Sequence, residues 1–230
     1  MTQITATYYH HMGDDITTVN AARVSFAKQS KLVCTDLIQG TYDLDKRDKK
    51  LIKYLAKHKH LSPFNHASVT FVCKAPVFVA RQLVKHEYMP WNEVSRRYVS
   101  DNIEFYEPDV WRGKSADKKQ GSEGEVEDVL TEICTGEYYG QYEFIDYKYV
   151  AKTMYTELLM QGVCEEQARM VLPQNTMTEW YWTGTLGAIA KMCNLRCKPD
   201  TQYETRLIAD QISDKMQHLF PVSWGALMDD

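Results

Sequence analysis

The chain has 230 residues, of which 44% are hydrophobic and 25% charged, values ordinary for one large globular domain or two small ones. Its formal net charge of −4 argues against broad binding to nucleic acid or to a membrane surface. No apolar run approaches the roughly 18 residues that cross a bilayer, and the first residues lack the basic start and apolar centre of a signal peptide.

The cysteines and histidines indicate the compartment and argue against a metal. Cys193 and Cys197 lie one helical turn apart, but no second pair of ligands is near them in the sequence. His58, His60 and His66 have no Asp or Glu between them. These spacings predict no metal centre. The six cysteines are scattered, which is typical of a reducing compartment, so we expect a cytoplasmic protein.

Hydrophobic periodicity assigns the first half of the chain. It predicts a strand over 5–9, a helix over 14–26, a loop over 28–42, a helix over 44–55 and a strand over 69–73. Pro76 suits the first turn of a further helix, which Pro90 breaks. On that helix Gln82, Lys85 and His86 are three and four residues apart, so they are expected on one face.

The second half reads as mainly helical. A strand over 103–106 is expected to pair with the strand over 69–73, and the polar stretch 112–128 predicts an exposed insertion loop within a domain. Then follow a long helical region over 142–159 stopped by Gly162, a short helix over 164–171, a helix over 183–193 and a last helix over 200–220. Inward-facing residues of the last helix are Ile208, Ile212, Met216 and Leu219.

The stretch from Arg81 to Tyr98 carries the densest set of hydrogen-bonding groups. Its end reads Asn92-Glu93-Val94-Ser95-Arg96-Arg97-Tyr98, and a carboxylate, a hydroxyl and two guanidinium groups so close together suit a phosphorylated, polar ligand. This end resembles the Asn-Glu-x-Ser-x-Arg-Tyr pattern of the flavin-dependent thymidylate synthases. The family's Arg-His-Arg triplet corresponds to Lys85-His86-Glu87, which matches only at the histidine.

Further short motifs extend the resemblance in order from Ala21 to about Leu219. They are the run ending Ala-Arg-Val-Ser25-Phe, the run His60-Leu-Ser62-Pro-Phe-Asn-His66, Ala-Arg169-Met-Val-Leu-Pro, and Asn194-Leu195-Arg196. The resemblance implies an α+β fold, with a small mixed sheet and long helices in a single catalytic domain over 1–230. It also implies a homotetramer whose active sites are shared between subunits.

The implied reaction is the reductive methylation of dUMP to dTMP, with FAD as cofactor and methylenetetrahydrofolate and NADPH as co-substrates. Arg196 is expected to be the catalytic group, because a fixed cation beside N3 and O2 of uracil stabilises the anion formed when N3–H ionises. Arg97 and Arg169 resemble the phosphate-binding arginines, and Ser95 and Gln82 are their expected neutral partners. The full set of implied substrate residues is Gln82, Lys85, Glu93, Val94, Ser95, Arg96, Arg97, Arg169 and Arg196.

The departures from the family cluster on the cofactor side. The implied cofactor residues are Ser25, His60, Ser62, Lys85, His86, Glu87, Glu93, Thr185, Lys191 and Leu195. Glu87 reverses the charge of the triplet's third residue, and Lys191 stands where the family has a neutral asparagine, so we hypothesise that Lys191 neutralises Glu87. Two alternatives stay open: a related enzyme acting on another pyrimidine nucleotide, such as a dCMP methylase or hydroxymethylase, and a non-catalytic nucleotide-binding relative.

Overall fold

A computed structural model describes residues 3–36, 39–116, 122–138 and 141–228. The described strands are β1 (Thr5–Met12), β2 (Val33–Asp36), β3 (Thr41–Asp43), β4 (Ser68–Pro76), β5 (Trp91–Glu93), β6 (Arg112–Lys114), β7 (Ser122–Glu125), β8 (Glu132–Tyr138), β9 (Gln141–Asp146) and β10 (Met177–Thr185). The described α-helices are α1 (Asp15–Arg23), α2 (Lys46–Lys57), α3 (Val77–Leu83), α4 (Tyr147–Met160), α5 (Glu165–Ala168), α6 (Leu186–Arg196), α7 (Tyr203–Leu219) and α8 (Pro221–Met228). These elements confirm the α+β class.

A four-stranded sheet in the order β1-β4-β10-β5 forms the centre of the molecule, and each of its neighbouring pairs is antiparallel. Trp180 and Trp182 of β10 are buried on the same side as Phe71 of β4, which lies opposite Trp182 in the register. Trp91 of β5 stacks on Trp180 with ring centroids 4.4 Å apart. This aromatic layer fixes β5, and with it the start of the motif after Pro90, to the sheet.

Helices α6 and α7 contribute much of the core. Ile189 and Met192 of α6 are fully buried, as are Ile208, Ile212 and Met216 of α7. The inward face predicted for the last helix is therefore confirmed at these three positions of α7. Helix α6 ends at Arg196 and helix α7 begins at Tyr203, so the packing of these two helices positions the site described below.

Asp15 joins the two ends of the described chain. Its carboxylate accepts the backbone N–H groups of Val222 at 2.9 Å and Ser223 at 2.8 Å, in the first turn of α8. These donors have no partner within a helix, so an anionic acceptor at this position stabilises α8. The Asp15 side chain thus caps a helix more than 200 residues further along the chain.

Several predicted elements are present with nearly the expected bounds. The strand over 69–73 is β4, the helix over 44–55 is α2, and the helix opened at Asp14 is α1, whose first turn has a capping box between Asp14 and Thr17. Gly162, at a φ of 85°, ends α4 as predicted. The short helix over 164–171 is α5 followed by one turn of 3-10 helix.

Other predictions were wrong. The loop over 28–42 contains the β2–β3 pair, and the helical region over 142–159 begins as β9 before α4 starts at Tyr147. Residues up to Thr185 belong to β10, so the predicted helix begins only at Leu186. Residues 103–106 form no strand against β4 but a single bridge between Phe105 and Thr176.

The polar stretch 112–128 is not simply a loop. Arg112–Lys114 and Ser122–Glu125 pair as the antiparallel strands β6 and β7, and residues 117–121 lie outside the described residues. Within the described ranges, no helix is long and apolar enough to span a membrane.

Candidate active site

Residues of the sequence motifs line three cavities. The Arg196 cavity, about 1050 Å³, is lined by Gln82, Leu195, Arg196, Asp200 and neighbouring residues. A second cavity of about 620 Å³, the Ser95 cavity, is lined by residues that include Glu93, Val94, Ser95, Arg96 and Arg169. A third cavity of about 680 Å³, the Lys191 cavity, is lined by Lys53, Lys57, Lys59, Lys191 and apolar residues of α6 and α8.

Arg196 is the last residue of α6, and two hydrogen bonds hold its guanidinium at the cavity wall. Its Nε donates to His86 Nε2 at 3.1 Å, and its Nη2 donates to the backbone carbonyl of Gln82 at 3.2 Å. Its partial burial lowers the pKa of Arg196 below the ordinary value, yet the group stays a cation at neutral pH. The structure therefore presents a fixed, half-buried positive charge.

His86 is held neutral by its surroundings. Burial, together with the positive charges of Arg196 and Lys191, lowers the pKa of His86 to about 4. A neutral imidazole can accept at Nε2, as the contact with Arg196 requires. His86 is thus a partner of the expected catalytic group.

The end of α3 explains why His86 reaches Arg196. The helix ends at Leu83, so Lys85 and His86 lie beyond it. The prediction that they share a helical face with Gln82 was therefore wrong. The His86 N–H returns to the Leu83 carbonyl at 3.1 Å, and Tyr88 has a φ of 59°. This tight turn separates the side chains: His86 faces Arg196, whereas Lys85 is exposed and makes no side-chain hydrogen bond within the described residues.

Gln82 faces the Arg196 cavity rather than the Ser95 cavity. Its amide Nε2 donates to Gln202 Oε1, and its Oε1 accepts from the Thr205 hydroxyl at 3.2 Å. Within one chain the structure thus brings Gln82 together with Arg196 and not with Ser95, its expected companion at the phosphate.

Arg112 and Glu204 are site residues that the sequence analysis did not single out. Arg112 Nη2 pairs with Glu204 Oε1, and the Glu204 side chain is only 6% exposed. The Arg112 guanidinium also lies 4.5 Å from the centre of the Tyr203 ring. The hairpin that carries Arg112 is thereby attached to the first turn of α7 and forms part of the wall of the Arg196 cavity.

Residues 93–96 line the Ser95 cavity, and the hydrogen bonds of Glu93 and Arg96 are mainly to nearby groups. Glu93 accepts from Thr178 Oγ1 at 2.7 Å and from Trp91 Nε1 at 3.1 Å. The Arg96 guanidinium donates to the backbone carbonyls of Asp101 at 2.6 Å and Asn102 at 3.2 Å. Arg96 therefore holds the following loop in place, although it also lines the cavity.

Arg97 and Arg169, the expected phosphate ligands, meet at Glu166. Arg97 Nη2 lies 2.6 Å from Glu166 Oε1, and Arg169 Nε donates to the Glu166 carbonyl at 3.3 Å. Both arginines are exposed, as a group that receives a phosphate from solution must be. The spacing of Glu166 and Arg169, three residues apart in a helical pattern, was a local signal for their proximity, whereas the contact of Glu166 with Arg97 has no such signal.

Of the expected cofactor residues, Lys191 lines the Lys191 cavity, whereas Glu93 lines the Ser95 cavity and Leu195 the Arg196 cavity. Lys191 Nζ lies 3.4 Å from Glu87 Oε2, so the hypothesised pairing of these two residues is confirmed as a contact. Thr185 caps α6 by accepting the Ala188 N–H at 3.3 Å, and its hydroxyl donates to Asn65 Oδ1 at 2.8 Å. The remaining expected cofactor residues Ser25, His60 and Ser62 are exposed. Among the described residues, no group of three or more His, Cys, Asp or Glu could hold a metal ion.

Comparisons with known proteins show the family. A family model described as "Thymidylate synthase complementing protein" matches residues 8–222. Flavin-dependent thymidylate synthases of Thermus thermophilus and Thermosipho melanesiensis are each 37% identical over 94% of this chain, covering 72% and 87% of their own lengths. The chain belongs to the flavin-dependent thymidylate synthase family.

A solved structure has the same fold. The UMP/dUMP methylase PolB from Streptomyces cacaoi, bound with 5-Br dUMP, is 29% identical and matches with a TM-score of 0.75 over 97% of this chain and 94% of its own. The same methylase bound with 5-Br UMP is 27% identical and gives a TM-score of 0.71 over 98% and 94% of the two chains. The structural likeness therefore covers nearly all of both proteins.

Proposed function

We propose that this protein methylates dUMP reductively to dTMP with a flavin as its redox cofactor. The observation that carries the proposal is the Arg196 guanidinium, fixed by His86 and Gln82 at the wall of a cavity large enough for a nucleotide. Family membership and the likeness to a UMP/dUMP methylase support the same reaction.

Arg196 has a defined task in this chemistry. Methylation at C5 requires that C5 become nucleophilic, and ionisation of uracil N3–H achieves this by placing negative charge on the ring. A preorganised cation beside N3 and O2 stabilises that charge, an effect worth about 3 kcal/mol of barrier in comparable sites. The one-carbon unit is expected from methylenetetrahydrofolate, and the hydride from NADPH by way of the flavin.

The residues of the Lys191 cavity fit an anionic cofactor such as FAD. Lys53, Lys57, Lys59 and Lys191 supply ammonium donors, which suit a pyrophosphate. The negative charge of Glu87, which replaces a cation of the family triplet, is partly compensated by Lys191. The donor set therefore keeps a positive balance in spite of the altered triplet.

We further propose a cytoplasmic homotetramer whose active sites are shared between subunits. Within one chain Arg196 and Arg169 line different cavities, so a second copy is needed if one nucleotide is to contact both kinds of arginine. Large apolar side chains on the described surface support extensive subunit contacts: Phe26 is 74% exposed, Tyr88 82% and Met170 76%. All six cysteines are free thiols, which supports a reducing compartment.

The test is a visible spectrum of the purified protein followed by product analysis. Flavin absorbance and conversion of dUMP to dTMP with methylenetetrahydrofolate and NADPH are expected. UMP is the second candidate substrate, because the matched methylase is described as acting on UMP and dUMP. dCMP is assayed in parallel. A flavin-loaded preparation that leaves dUMP unchanged would refute the proposal, and product from dCMP alone would identify one of the alternatives.

A further inference from the structure

A further cavity, of about 490 Å³, adjoins the Lys191 cavity and extends it along α2. Lys53 of α2 and Ala226 of α8 line both cavities, so the two form one groove between these helices, the lysine groove. The lysines that line it are Lys46, Lys49, Lys50, Lys53, Lys57, Lys59 and Lys191. Among the described residues that line it, none is acidic. In a chain of net charge −4, positive charge is thus concentrated in one groove.

The sequence of α2 dictates this row of charges. The lysines that recur there at intervals of three and four residues are Lys46, Lys50, Lys53 and Lys57. Such spacing places side chains on one face of a helix, and Ile52 and Leu55 on the opposite face are buried in the core. With a rise of about 1.5 Å per residue, the row is roughly 16 Å long. The groove therefore offers positive charge at regular intervals along an extended path.

Most of these ammonium groups have no anionic partner. Lys49 pairs with Asp43, and Lys191 Nζ lies 3.4 Å from Glu87 Oε2. The groove lysines that form no ion pair with any described residue are Lys46, Lys50, Lys53, Lys57 and Lys59. Like charges one helical turn apart repel each other, so an anion that binds between them also removes this repulsion.

Helix α8 supplies the other wall of the groove, and this wall is uncharged. The residues Pro221–Met228 include no acidic or basic side chain. Gly225 lines the groove, and a Cβ atom added at this position would meet no other atom within 4 Å. An uncharged wall opposite a row of ammonium groups suits a ligand that carries anions at intervals along a chain of methylene groups.

The proposed reaction includes a co-substrate of this kind. A folate ends in a glutamate, and further glutamates can be joined to it through γ-amide bonds, each with one free carboxylate and two methylene groups. The pyrophosphate of FAD needs only the lysines next to Lys191, so those at the far end of the groove are left for a second anion. Because the folate has to meet the flavin, its tail begins near the cofactor.

We propose that the lysine groove binds the oligo-γ-glutamate tail of the folate co-substrate, with Lys46, Lys50 and Lys53 as ligands of its carboxylates. This rests on the proposed function, since it takes the Lys191 cavity as the place of the FAD pyrophosphate, and it specifies the form of folate that the protein prefers. Nucleic acid suits the groove less well, because the described residues that line it include no aromatic ring on which a base could stack.

The measured quantity is the ratio of the dissociation constants of tetrahydrofolate monoglutamate and pentaglutamate for the FAD-loaded protein, which needs no turnover. The pentaglutamate should bind at least about tenfold more tightly at low salt, since each of its four added carboxylates contributes a factor of about two. This advantage should shrink in about 0.5 M salt, which screens exposed charges.

Two double variants test the residues. Lys46→Gln/Lys50→Gln should bring the ratio to within about threefold of one and leave the affinity for the monoglutamate unchanged. Lys28→Gln/Lys31→Gln removes the same charge from exposed positions that line neither cavity of the groove, and it should keep the original ratio.

A matched pair at Gly225 separates charge from bulk. Gly225→Glu and Gly225→Gln place side chains of the same shape in open space, and both replace a glycine inside a helix by a better helix former, so both should fold. The ratio should be at least about threefold lower for Gly225→Glu, because its carboxylate competes with the tail for the lysines.

Several outcomes would overturn the inference: equal affinity of the unaltered protein for the two folates, an unchanged ratio in Lys46→Gln/Lys50→Gln, or equal ratios in the two Gly225 variants. Displacement of the pentaglutamate by a single-stranded oligonucleotide at physiological salt would assign the groove to nucleic acid instead. Failure of the FAD-loaded protein to bind either folate would refute the proposed function itself.

Discussion

The side chains of Arg196 and His86, 110 residues apart in the sequence, meet at 3.1 Å through a hydrogen bond from Arg196 Nε to His86 Nε2. The bond requires a neutral imidazole, because a protonated ring has no acceptor and would repel the guanidinium. The histidine that the family motif shares with this chain is therefore placed to orient the cation expected to act on uracil.

This contact predicts a stability that depends on pH. The folded-state pKa of His86 is about 4, below the ordinary value near 6.5, so between these values the unfolded chain binds a proton that the folded chain does not. The contribution of His86 is fully present above about pH 6.5 and is lost as the pH falls towards 4. The free energy of unfolding, from urea titrations at several pH values, measures it.

His86→Gln supplies the matched variant. Its amide oxygen can still accept from Arg196, but it does not titrate, so the fall in stability between about pH 6.5 and 4 should become shallower. His58→Gln, at an exposed position, should leave the original profile. Equal slopes for the His86→Gln and unaltered proteins would show that His86 is not the titrating group.

Arg196→Lys should preserve the fold but remove most turnover. A lysine keeps the positive charge, yet a single ammonium cannot bond His86, the Gln82 carbonyl and the base at once in the geometry of the planar guanidinium. Steady-state rates with dUMP, alongside circular dichroism, measure this. Turnover retained within about threefold, which is less than 1 kcal/mol of barrier, would mean that Arg196 does not stabilise the uracil anion.

The Glu87–Lys191 pair should matter for cofactor binding more than for folding. Both side chains are about 70% exposed, at 69% and 73%, and an exposed pair contributes only about 0–1 kcal/mol to stability. Lys191→Ala should weaken FAD binding, and adding Glu87→Gln should restore much of it. A double-mutant cycle on FAD affinity gives the coupling directly. A coupling energy within about 0.3 kcal/mol of zero would show that the contact has no effect on the cofactor.

Arg97→Ala or Arg169→Ala should each weaken dUMP binding by about 2 kcal/mol, because a charged hydrogen bond to phosphate is lost. Arg47→Ala, at an exposed position on α2 away from the Ser95 cavity, is the control and should leave the affinity unchanged. Titrations with dUMP and with deoxyuridine separate the phosphate from the base. Loss of affinity for both ligands alike would place these arginines elsewhere than at the phosphate.

Local patterns in the sequence were enough to predict many of the elements and the motif. The alternation in β4 and the spacing of Ile208, Ile212 and Met216 in α7 each reflect one buried face, which periodicity reports directly. β10 was missed although Trp180, Trp182 and Gly184 alternate on its buried side. Tyr181, which faces outward between the two tryptophans, is also aromatic. The alternation of buried and exposed positions is therefore not visible in the sequence.

The arrangement of the site could not be predicted in the same way. The contacts of Gln82 with Gln202 and of Arg112 with Glu204 join residues 120 and 92 positions apart, and they exist only after α3, α7 and the hairpin have packed. The resemblance to the family implied that Gln82 and Ser95 are partners at the phosphate. The end of α3 at Leu83 and the turn at Tyr88 point them into different cavities.

The cap that Asp15 provides for α8 has a consequence for the order of events during synthesis. At about 5–20 residues per second, a ribosome makes Val222 roughly 10–40 s after Asp15. In that interval the Asp15 carboxylate lacks its two backbone donors, and the apolar residues of α1 lack their contacts with the part of the core that α8 supplies. The contact between Asp15 and the first turn of α8 therefore forms only after Val222 and Ser223 have been synthesised.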